Sequence, residues 1–269
     1  MESGSGKSFY PSVMHKKILH LLPYTLLIAL LFPSFHSIAQ QPEQLPSAVI
    51  KGDDLYKERQ APAKCLEAIK WYEQGFSERP LEETAVRLAK SYYWLGEHSP
   101  QDAKLELFQK GIDWSKKAIE INPKSAGGYL WLGVNNGKCG EAKGILKSLF
   151  LVGPIKDAMQ QVIAINPSYN YGGAYRVLGR MYFKLPRFAG GGMDKSISHL
   201  KKAIEYGPEA TTNHVFLAEA YVAQKEYNRA RQELNFVLQA SLIPGLEPEG
   251  KEDKAAAQRL LVDLNKNAR

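Results

Sequence analysis

A proline returns at nearly regular intervals along the chain, each time at the end of a stretch with helical apolar spacing. Pro80, Pro123, Pro167 and Pro208 are 43, 44 and 41 residues apart. Proline cannot continue a helix, and it pushes the residue before it out of helical conformation, so each one marks a helix end. A period in this range is typical of stacked helical hairpins. The spacing therefore predicts a solenoid of helical repeats.

A second pattern follows each proline and indicates the type of hairpin. It joins a leucine to a small residue and, three positions after the small residue, usually to a tyrosine. The four instances are Leu88-Ala89-x-x-Tyr92, Leu132-Gly133-x-x-Asn136, Leu178-Gly179-x-x-Tyr182 and Leu217-Ala218-x-x-Tyr221. The small residue lets the partner helix approach closely, and the leucine and tyrosine fill the space around it. This pattern resembles the first helix of the tetratricopeptide repeat (TPR), over about residues 48–242.

We expect an all-α fold, a TPR-like α-solenoid of about five helical hairpins closed by a C-terminal capping helix. The expected hairpins span residues 48–80, 82–123, 126–167, 172–208 and 211–242. Residues 243–269 are expected to form a loop and the capping helix, which is placed at about 252–267. Because solenoid repeats contact only their neighbours, Cys65 and Cys139 are expected to be free and mostly buried.

The first 39 residues have the organisation of a secretory signal peptide. Lys16 and Lys17 precede a mainly apolar stretch from Ile18 to Phe35, and Ser37-Ile38-Ala39 places small residues after it. This order predicts export with cleavage after Ala39, followed by a linker at residues 40–47. Met14, just before the lysines, is an alternative start, which would make residues 1–13 an N-terminal extension. The expected location is then the periplasm or the outside of the cell. The alternative is a protein anchored in the membrane by an uncleaved N-terminal segment.

Two insertions lengthen the repeats beyond the TPR unit of about 34 residues. The first is Gly140–Pro154, which is apolar, and the second is Leu185–Lys195, which contains three consecutive glycines. Over about residues 80–240, the chain resembles the TPR proteins that accompany tripartite ATP-independent periplasmic (TRAP) transporters. It is also similar to the microtubule-dynamics-regulator family. The resemblance implies an extracytoplasmic binding protein that hands organic ligands to a transporter, with assembly into homo-oligomers as one implied state.

Each insertion also has a local interpretation. The glycines can form a tight loop, and Asp194 is expected to cap the helix that follows; an anion at that helix N-terminus is the alternative. The apolar insertion either covers neighbouring repeats or forms an exposed lip that meets a ligand, a membrane surface or another subunit. Its apolar side chains are expected on one face of a short helix: Ile145, Leu146, Leu149, Phe150 and Val152.

The sequence has no motif for catalysis or metal binding. His98, His199 and His214 are isolated from one another, and none has the spacing of an HExxH or Cys-His metal site. No GxSxG motif and no phosphate-binding loop occur. We therefore expect no enzymatic activity, no cofactor and no bound metal. The net charge of +7 comes from scattered lysines and arginines, so a nucleic-acid partner is not expected either.

The ligand surface is expected on the concave side of the array, which the first helices of TPR hairpins line. A groove with cations and aromatic rings would attract a carboxylate and hold an apolar body beside it. The expected partner is a small organic acid or an acidic peptide tail. A protein-interaction scaffold in the cell envelope is the alternative function, and a solvated surface without ligand is the alternative for these residues. The predicted ligand-binding residues are Lys90, Tyr93, Trp94, Lys138, Arg176, Arg180, Phe183 and Lys184.

Overall fold

The computed structural model describes residues 44–266, so the predicted signal peptide lies outside the described residues. This part of the chain contains eleven α-helices, two short 3-10 helices and no strand. The 3-10 helices are Ile145–Leu151 and Arg187–Ala189. The α-helices are α1 Ser47–Lys57, α2 Pro62–Glu78, α3 Glu82–Glu97, α4 Gln101–Ile121, α5 Ala126–Lys143, α6 Val152–Ile165, α7 Tyr169–Lys184, α8 Met193–Tyr206, α9 Thr211–Ala223, α10 Tyr227–Gln239 and α11 Glu247–Lys266.

Ten of these helices pair into five successive hairpins, α1 with α2 through to α9 with α10. The first helices of neighbouring hairpins also contact one another, α3 with α5, α5 with α7, and α7 with α9. They therefore form one continuous wall, which is the concave side of a TPR array. This arrangement confirms the predicted all-α, TPR-like solenoid.

The small residues of the repeated pattern lie where the two helices of a hairpin approach each other. A Cβ atom added to Gly179 would be 2.6 Å from Cγ of Leu200, and one added to Gly133 would collide with the side chain of Met159. Ala89 and Ala218 are fully buried at equivalent positions. The pattern thus marks the closest contacts in the core, and a larger side chain there has no space.

The start of α7 departs from helical geometry. Asn170, Tyr171 and Gly172 have φ angles of 51°, 57° and 70°, in the left-handed region that costs residues other than glycine about 1–2 kcal/mol each. The Asn213 side chain supports this turn, because its amide donates to the carbonyl oxygens of Tyr171 at 3.0 Å and Ala203 at 3.2 Å. A strained backbone is therefore held in place by a buried side chain from α9.

The glycine loop before α8 is as tight as predicted, but the expected cap is wrong. A Cβ atom on Gly191 would collide with the carbonyl oxygen of Leu185. Gly192 occupies the N-cap position of α8, and no side chain caps this helix. Asp194 already lies in the first turn, where its carboxylate accepts a hydrogen bond from Nε2 of Gln224 at 2.8 Å.

The apolar insertion forms the 3-10 helix Ile145–Leu151 and does not keep its apolar residues on one face. Leu146 and Phe150 are each 67% exposed, whereas Leu151 packs against the core of the third and fourth hairpins. A 3-10 helix has about three residues per turn, so a pattern spaced for an α-helix is split between two directions. The prediction of a single apolar face is therefore wrong: one side packs inward and the other is exposed.

The C-terminal helix starts at Glu247, earlier than predicted, and it does more than cap the array. Its second half packs on α9 and α10 and buries Ala257 and Leu264. Its start reaches the first hairpin, where Arg59 donates hydrogen bonds to the Glu249 carboxylate and, at 3.0 Å, to the carbonyl oxygen of Gly245. The predicted capping helix therefore also connects the two ends of the solenoid.

Candidate functional site

A cavity of about 420 Å³ lies on the concave side, between the wall of first helices and the C-terminal segment. This volume falls in the range of roughly 300–1,000 Å³ that is typical of small-molecule sites. The insertion that contains the 3-10 helix Ile145–Leu151 completes its lining. Many of the lining side chains are apolar or aromatic: Tyr93, Trp131, Val134, Leu151, Val177, Met181, Phe216, Leu242, Ile243 and Leu246.

The structure brings six of the eight predicted ligand-binding residues to this cavity. They come from three successive first helices, so the concave wall presents the expected positions to one common space. Whether they bind a ligand stays a prediction. The six residues are Lys90, Tyr93, Lys138, Arg176, Arg180 and Lys184.

The other two predicted residues lie elsewhere. Trp94 is 3% exposed in the core of the first two hairpins, and its indole N–H donates to the carbonyl oxygen of Arg59 at 2.9 Å. Phe183 packs, partly buried, against the core of the last repeats. Consecutive helical residues point about 100° apart, so Trp94 turns into the core although Tyr93 lines the cavity. Placing Trp94 and Phe183 at the ligand surface is therefore corrected.

Sequence reasoning missed the acidic side chains in the cavity wall. Glu97, Glu141, Glu249 and Asp253 also line it. Lys138 pairs with two of them, its Nζ lying 2.5 Å from Glu97 and 3.6 Å from Glu141. The expectation of a predominantly basic groove is thus corrected, because carboxylates offset much of the positive charge. Acidic residues were visible in the sequence, but nothing there indicated that they face the cavity.

The two predicted arginines have partners within the protein. Arg176 donates to Oδ1 of Asn213 at 2.9 Å, so it supports the side chain that holds the left-handed turn of α7. Burial lowers the pKa of Arg176, and the nearby Tyr93 and Asp253 oppose that shift. Arg180 pairs with Glu219, and its guanidinium carbon lies 4.4 Å from the ring centroid of Phe216. Both arginines therefore have structural roles at the cavity wall.

Lys90 differs from these cations. Within residues 44–266 its ammonium has no hydrogen-bond or ion-pair partner, and it lies 5.2 Å from the ring centroid of Tyr56. Burial lowers the pKa of Lys90, while the carboxylate of Glu249 opposes that shift from a longer distance. A partly buried charge without a direct partner is costly, so an anion in the cavity would find its most favourable contact here.

The described residues offer no alternative site based on metal or thiol chemistry. Among residues 44–266, no group of three His, Cys, Asp or Glu side chains could hold a metal ion. Cys65 and Cys139 are both buried and unpaired. Burial raises the pKa of Cys65 to about 12, so its thiol stays protonated at neutral pH. In the same range, no helix has the length and apolar character needed to cross a bilayer.

Two protein families match overlapping parts of the chain. The family described as regulator of microtubule dynamics protein 1-3 matches residues 49–189. The TRAP transporter T-component family matches residues 144–263. The second match covers most of the first insertion, the whole second insertion and most of the C-terminal segment. It confirms the resemblance to the TRAP-associated TPR proteins. No curated protein matches the sequence.

One solved TPR structure resembles the fold of this chain at low sequence identity, and a second matches more weakly. The thermophilic TPR protein TTC0263 of Thermus thermophilus is 19% identical with a TM-score of 0.56, and the alignment covers 79% of this chain and 97% of that one. A MamA protein from Desulfovibrio magneticus RS-1 is 16% identical with a TM-score of 0.44, over 71% of this chain and 94% of that one. The likeness to TTC0263 agrees with a TPR solenoid and carries no information on the ligand.

Proposed function

This chain belongs to the regulator of microtubule dynamics protein 1-3 family, and we propose that it binds a small amphipathic organic acid in its concave cavity. Its TPR fold and its match to the TRAP transporter T-component support a protein-interaction role associated with transport. TPR proteins and TRAP T-components are typically not enzymes. The finer proposal is that the chain presents the bound acid to a TRAP-type transporter.

The observation that carries this proposal is the combination of Lys90 with an apolar cavity. A carboxylate beside Lys90 would gain a charge-assisted hydrogen bond, and it would remove the cost of leaving that ammonium without a direct partner. The rest of the ligand would lie against side chains such as Val134 and Met181. Burial of apolar area contributes roughly 25 cal/mol per Å², so a ligand with an apolar body gains more than a small polar acid.

The C-terminal segment partly covers the cavity, which favours a small molecule over a peptide. Residues Ser241–Asp253 contribute to its lining on the concave side, where an extended peptide would otherwise lie across the first helices. An enclosed pocket suits small ligands, and an open groove suits peptides. The C-terminal segment therefore supports the organic acid over the acidic peptide tail in this conformation.

Export is part of the proposal, because transfer to a TRAP-type transporter takes place outside the cytoplasm. It rests on the order of charged, apolar and small residues before Gln40. N-terminal sequencing of the protein recovered from the periplasm is expected to begin near Gln40. A mature chain that retains Met1 or Met14 would contradict cleavage and would favour an anchored protein.

A scaffold in the cell envelope is the second candidate, and exposed apolar side chains favour it. Leu146, Phe150 and Phe188 are at least two-thirds exposed, and they lie on the two insertions that lengthen the repeats. Large exposed apolar side chains are common where proteins bind one another. A scaffold would bind its partner through such residues without a ligand in the cavity, which separates the two candidates experimentally.

Calorimetry with decanoate tests the ligand proposal, since decanoate joins one carboxylate to an unbranched apolar chain. The wild-type protein is expected to bind one decanoate. Lys90→Gln should weaken binding by about tenfold or more, as expected for loss of a hydrogen bond to a charged group. Lys116→Gln removes an exposed lysine of α4 that is outside the cavity lining and serves as the matched control.

A cationic probe with the same apolar chain completes the experiment. Decyltrimethylammonium should bind much more weakly than decanoate, because it would place a second cation beside Lys90. Equal affinities for the two probes, or equal losses in Lys90→Gln and Lys116→Gln, would overturn the proposal. An intact protein that binds neither probe would favour the scaffold.

A further inference from the structure

Three carboxylates on the first half of α11 contact separate parts of the solenoid. Glu252 and Asp253 lie three and four residues after Glu249, so both are on the side of the helix that Glu249 occupies. Together they contact the turn after α1, the end of α3 and the start of α9. A single helical face thus spans the concave side from the first hairpin to the last.

The contact with the first hairpin is built around a buried arginine. Arg59 is 1% exposed, and its guanidinium carbon lies 4.6 Å from the ring centroid of Tyr56 and 4.9 Å from that of Trp94. Two aromatic rings therefore orient the guanidinium toward α11, where it pairs with Glu249 and donates to Gly245. Without the C-terminal segment this charge would lose its anionic partner.

The other two contacts join α11 to α3 and α9. Oε1 of Glu252 lies 2.7 Å from Nε2 of His98. Oδ2 of Asp253 accepts hydrogen bonds from the hydroxyl groups of Thr211 and Thr212, both at 2.7 Å. The same stretch of chain supplies apolar cavity lining just before α11. Residues 241–253 therefore supply both the partial cover of the cavity and these polar contacts.

The second half of α11 is attached in a different way. Ala257, Leu260, Leu261 and Leu264 pack into the apolar core of the last repeats. The loop before α11 contains Pro244 and Gly245, and Gly245 has a φ angle of 81°. The segment is thus held by polar contacts along residues 241–253 and by apolar packing after them, so its first part can be released while the second stays attached.

We propose that residues 241–253 form a releasable strap over the cavity, and that opening of the strap widens the access of ligands to the concave side. Its contact with His98 is open to solvent, with the His98 side chain 32% and the Glu252 side chain 51% exposed, whereas Arg59 is buried beside a Glu249 side chain that is 26% exposed. Ion pairs as exposed as Glu252 with His98 commonly contribute about 0–1 kcal/mol. The strap therefore belongs to the less stable part of the fold, from which moving elements are drawn.

Two titratable groups couple the strap to pH. The hydrogen bond with Glu252 raises the pKa of His98, and Glu97 on α3 acts in the same direction. Burial raises the pKa of Asp253, and the nearby carboxylate of Glu252 raises it further. The hydrogen bonds from Thr211 and Thr212 and the charge of Arg176 on α7 oppose this shift. A raised pKa in the closed state means that closure binds protons more tightly, so the strap closes more firmly as pH falls.

Exchange of the Trp94 indole proton measures strap opening without any ligand, so it is independent of the proposed function. The indole N–H donates to the carbonyl oxygen of Arg59, whose side chain pairs with Glu249 of the strap, and NMR of tryptophan-labelled protein follows it directly. The double variant Glu249→Gln/Glu252→Gln should lower its protection about tenfold, corresponding to about 1.4 kcal/mol. Backbone amides of α8 should keep their protection and serve as the internal control.

Two further variants define the outcome. Asp263→Asn changes an exposed carboxylate in the second half of α11 and should leave Trp94 protection unchanged. Glu252→Gln alone removes only the His98 contact and should lower protection about two- to fivefold, which provides a test if the double variant does not fold. Unchanged protection in the folded strap variants, or an equal loss in α8, would overturn the proposal.

Discussion

The contacts inside the hairpins and the contacts across the concave side differ in chemistry. Inside the hairpins, small residues such as Gly179 let apolar side chains such as Leu200 fill the space between two helices. Across the concave side, carboxylates of α11 make charged contacts with the buried Arg59 and with the partly exposed His98. Burial of apolar groups dominates stability, whereas exposed ion pairs add little. The two regions should therefore respond to mutation separately, one in stability and the other in access to the cavity.

The largest expected effect comes from truncating the packed core. Leu234 is 0% exposed and belongs to the cluster formed by the last repeat and α11. Leu234→Ala should lower the free energy of unfolding by about 2–5 kcal/mol, because it removes buried methyl groups and leaves a cavity. Urea denaturation followed by circular dichroism measures this loss. A loss below about 1 kcal/mol would contradict the assignment of this helix face to the core.

Overfilling a hairpin contact should have a smaller effect in the same direction. Gly179→Leu would place new atoms against Leu200 and should lower the free energy of unfolding by about 1–3 kcal/mol. Gly137→Ala is the matched control, because a Cβ atom there meets nothing within 4 Å. It should leave stability unchanged or raise it by up to about 1 kcal/mol. Equal decreases in melting temperature in both variants would show that the lack of space at Gly179 does not cause the loss of stability.

The pH dependence of the strap should be smaller still. The pKa of His98 is raised in the closed state. Protonated His98 therefore stabilises the closed strap fully below an ordinary histidine pKa of about 6.5, and this stabilisation is lost as pH rises through the raised pKa. Protection of the Trp94 indole, corrected for intrinsic exchange, should fall about two- to fivefold between pH ~6 and pH ~8. His98→Gln should remove most of this slope, and an unaltered slope would assign it to another group.

The two regions also differ in how far the sequence predicts them. The sequence predicts core residues such as Leu88, Leu217 and Gly179, because every hairpin needs the same residue types where its two helices pack. The pattern therefore recurs once in each repeat. Lys90 and Arg176 were found from their positions relative to that pattern. Trp94 was misplaced because a shift of one helical position turns a side chain by about 100°. Local spacing thus predicts which residues form the core, but it can misplace by one position a residue at the boundary between the core and the cavity wall.

The rest of the site depends on contacts that no repeat encodes. Arg59 and Glu249 are separated by 190 residues in the chain, and neither belongs to the periodic pattern. The left-handed conformation of Tyr171 is imposed by its neighbours, chiefly Asn213, and a tyrosine gives no sequence signal for it. The C-terminal segment therefore covers part of the cavity through tertiary contacts between the two ends of the solenoid, which no local sequence pattern predicts.

A crystal structure of the protein with decanoate would show directly whether the cavity binds an organic acid. One decanoate is expected in the cavity, with its carboxylate about 3 Å from Nζ of Lys90 and its apolar chain against Val134 and Met181. Decanoate bound only to exposed side chains such as Phe150, with the cavity empty, would contradict it. A carboxylate in the cavity but away from Lys90 would contradict the role assigned to this lysine.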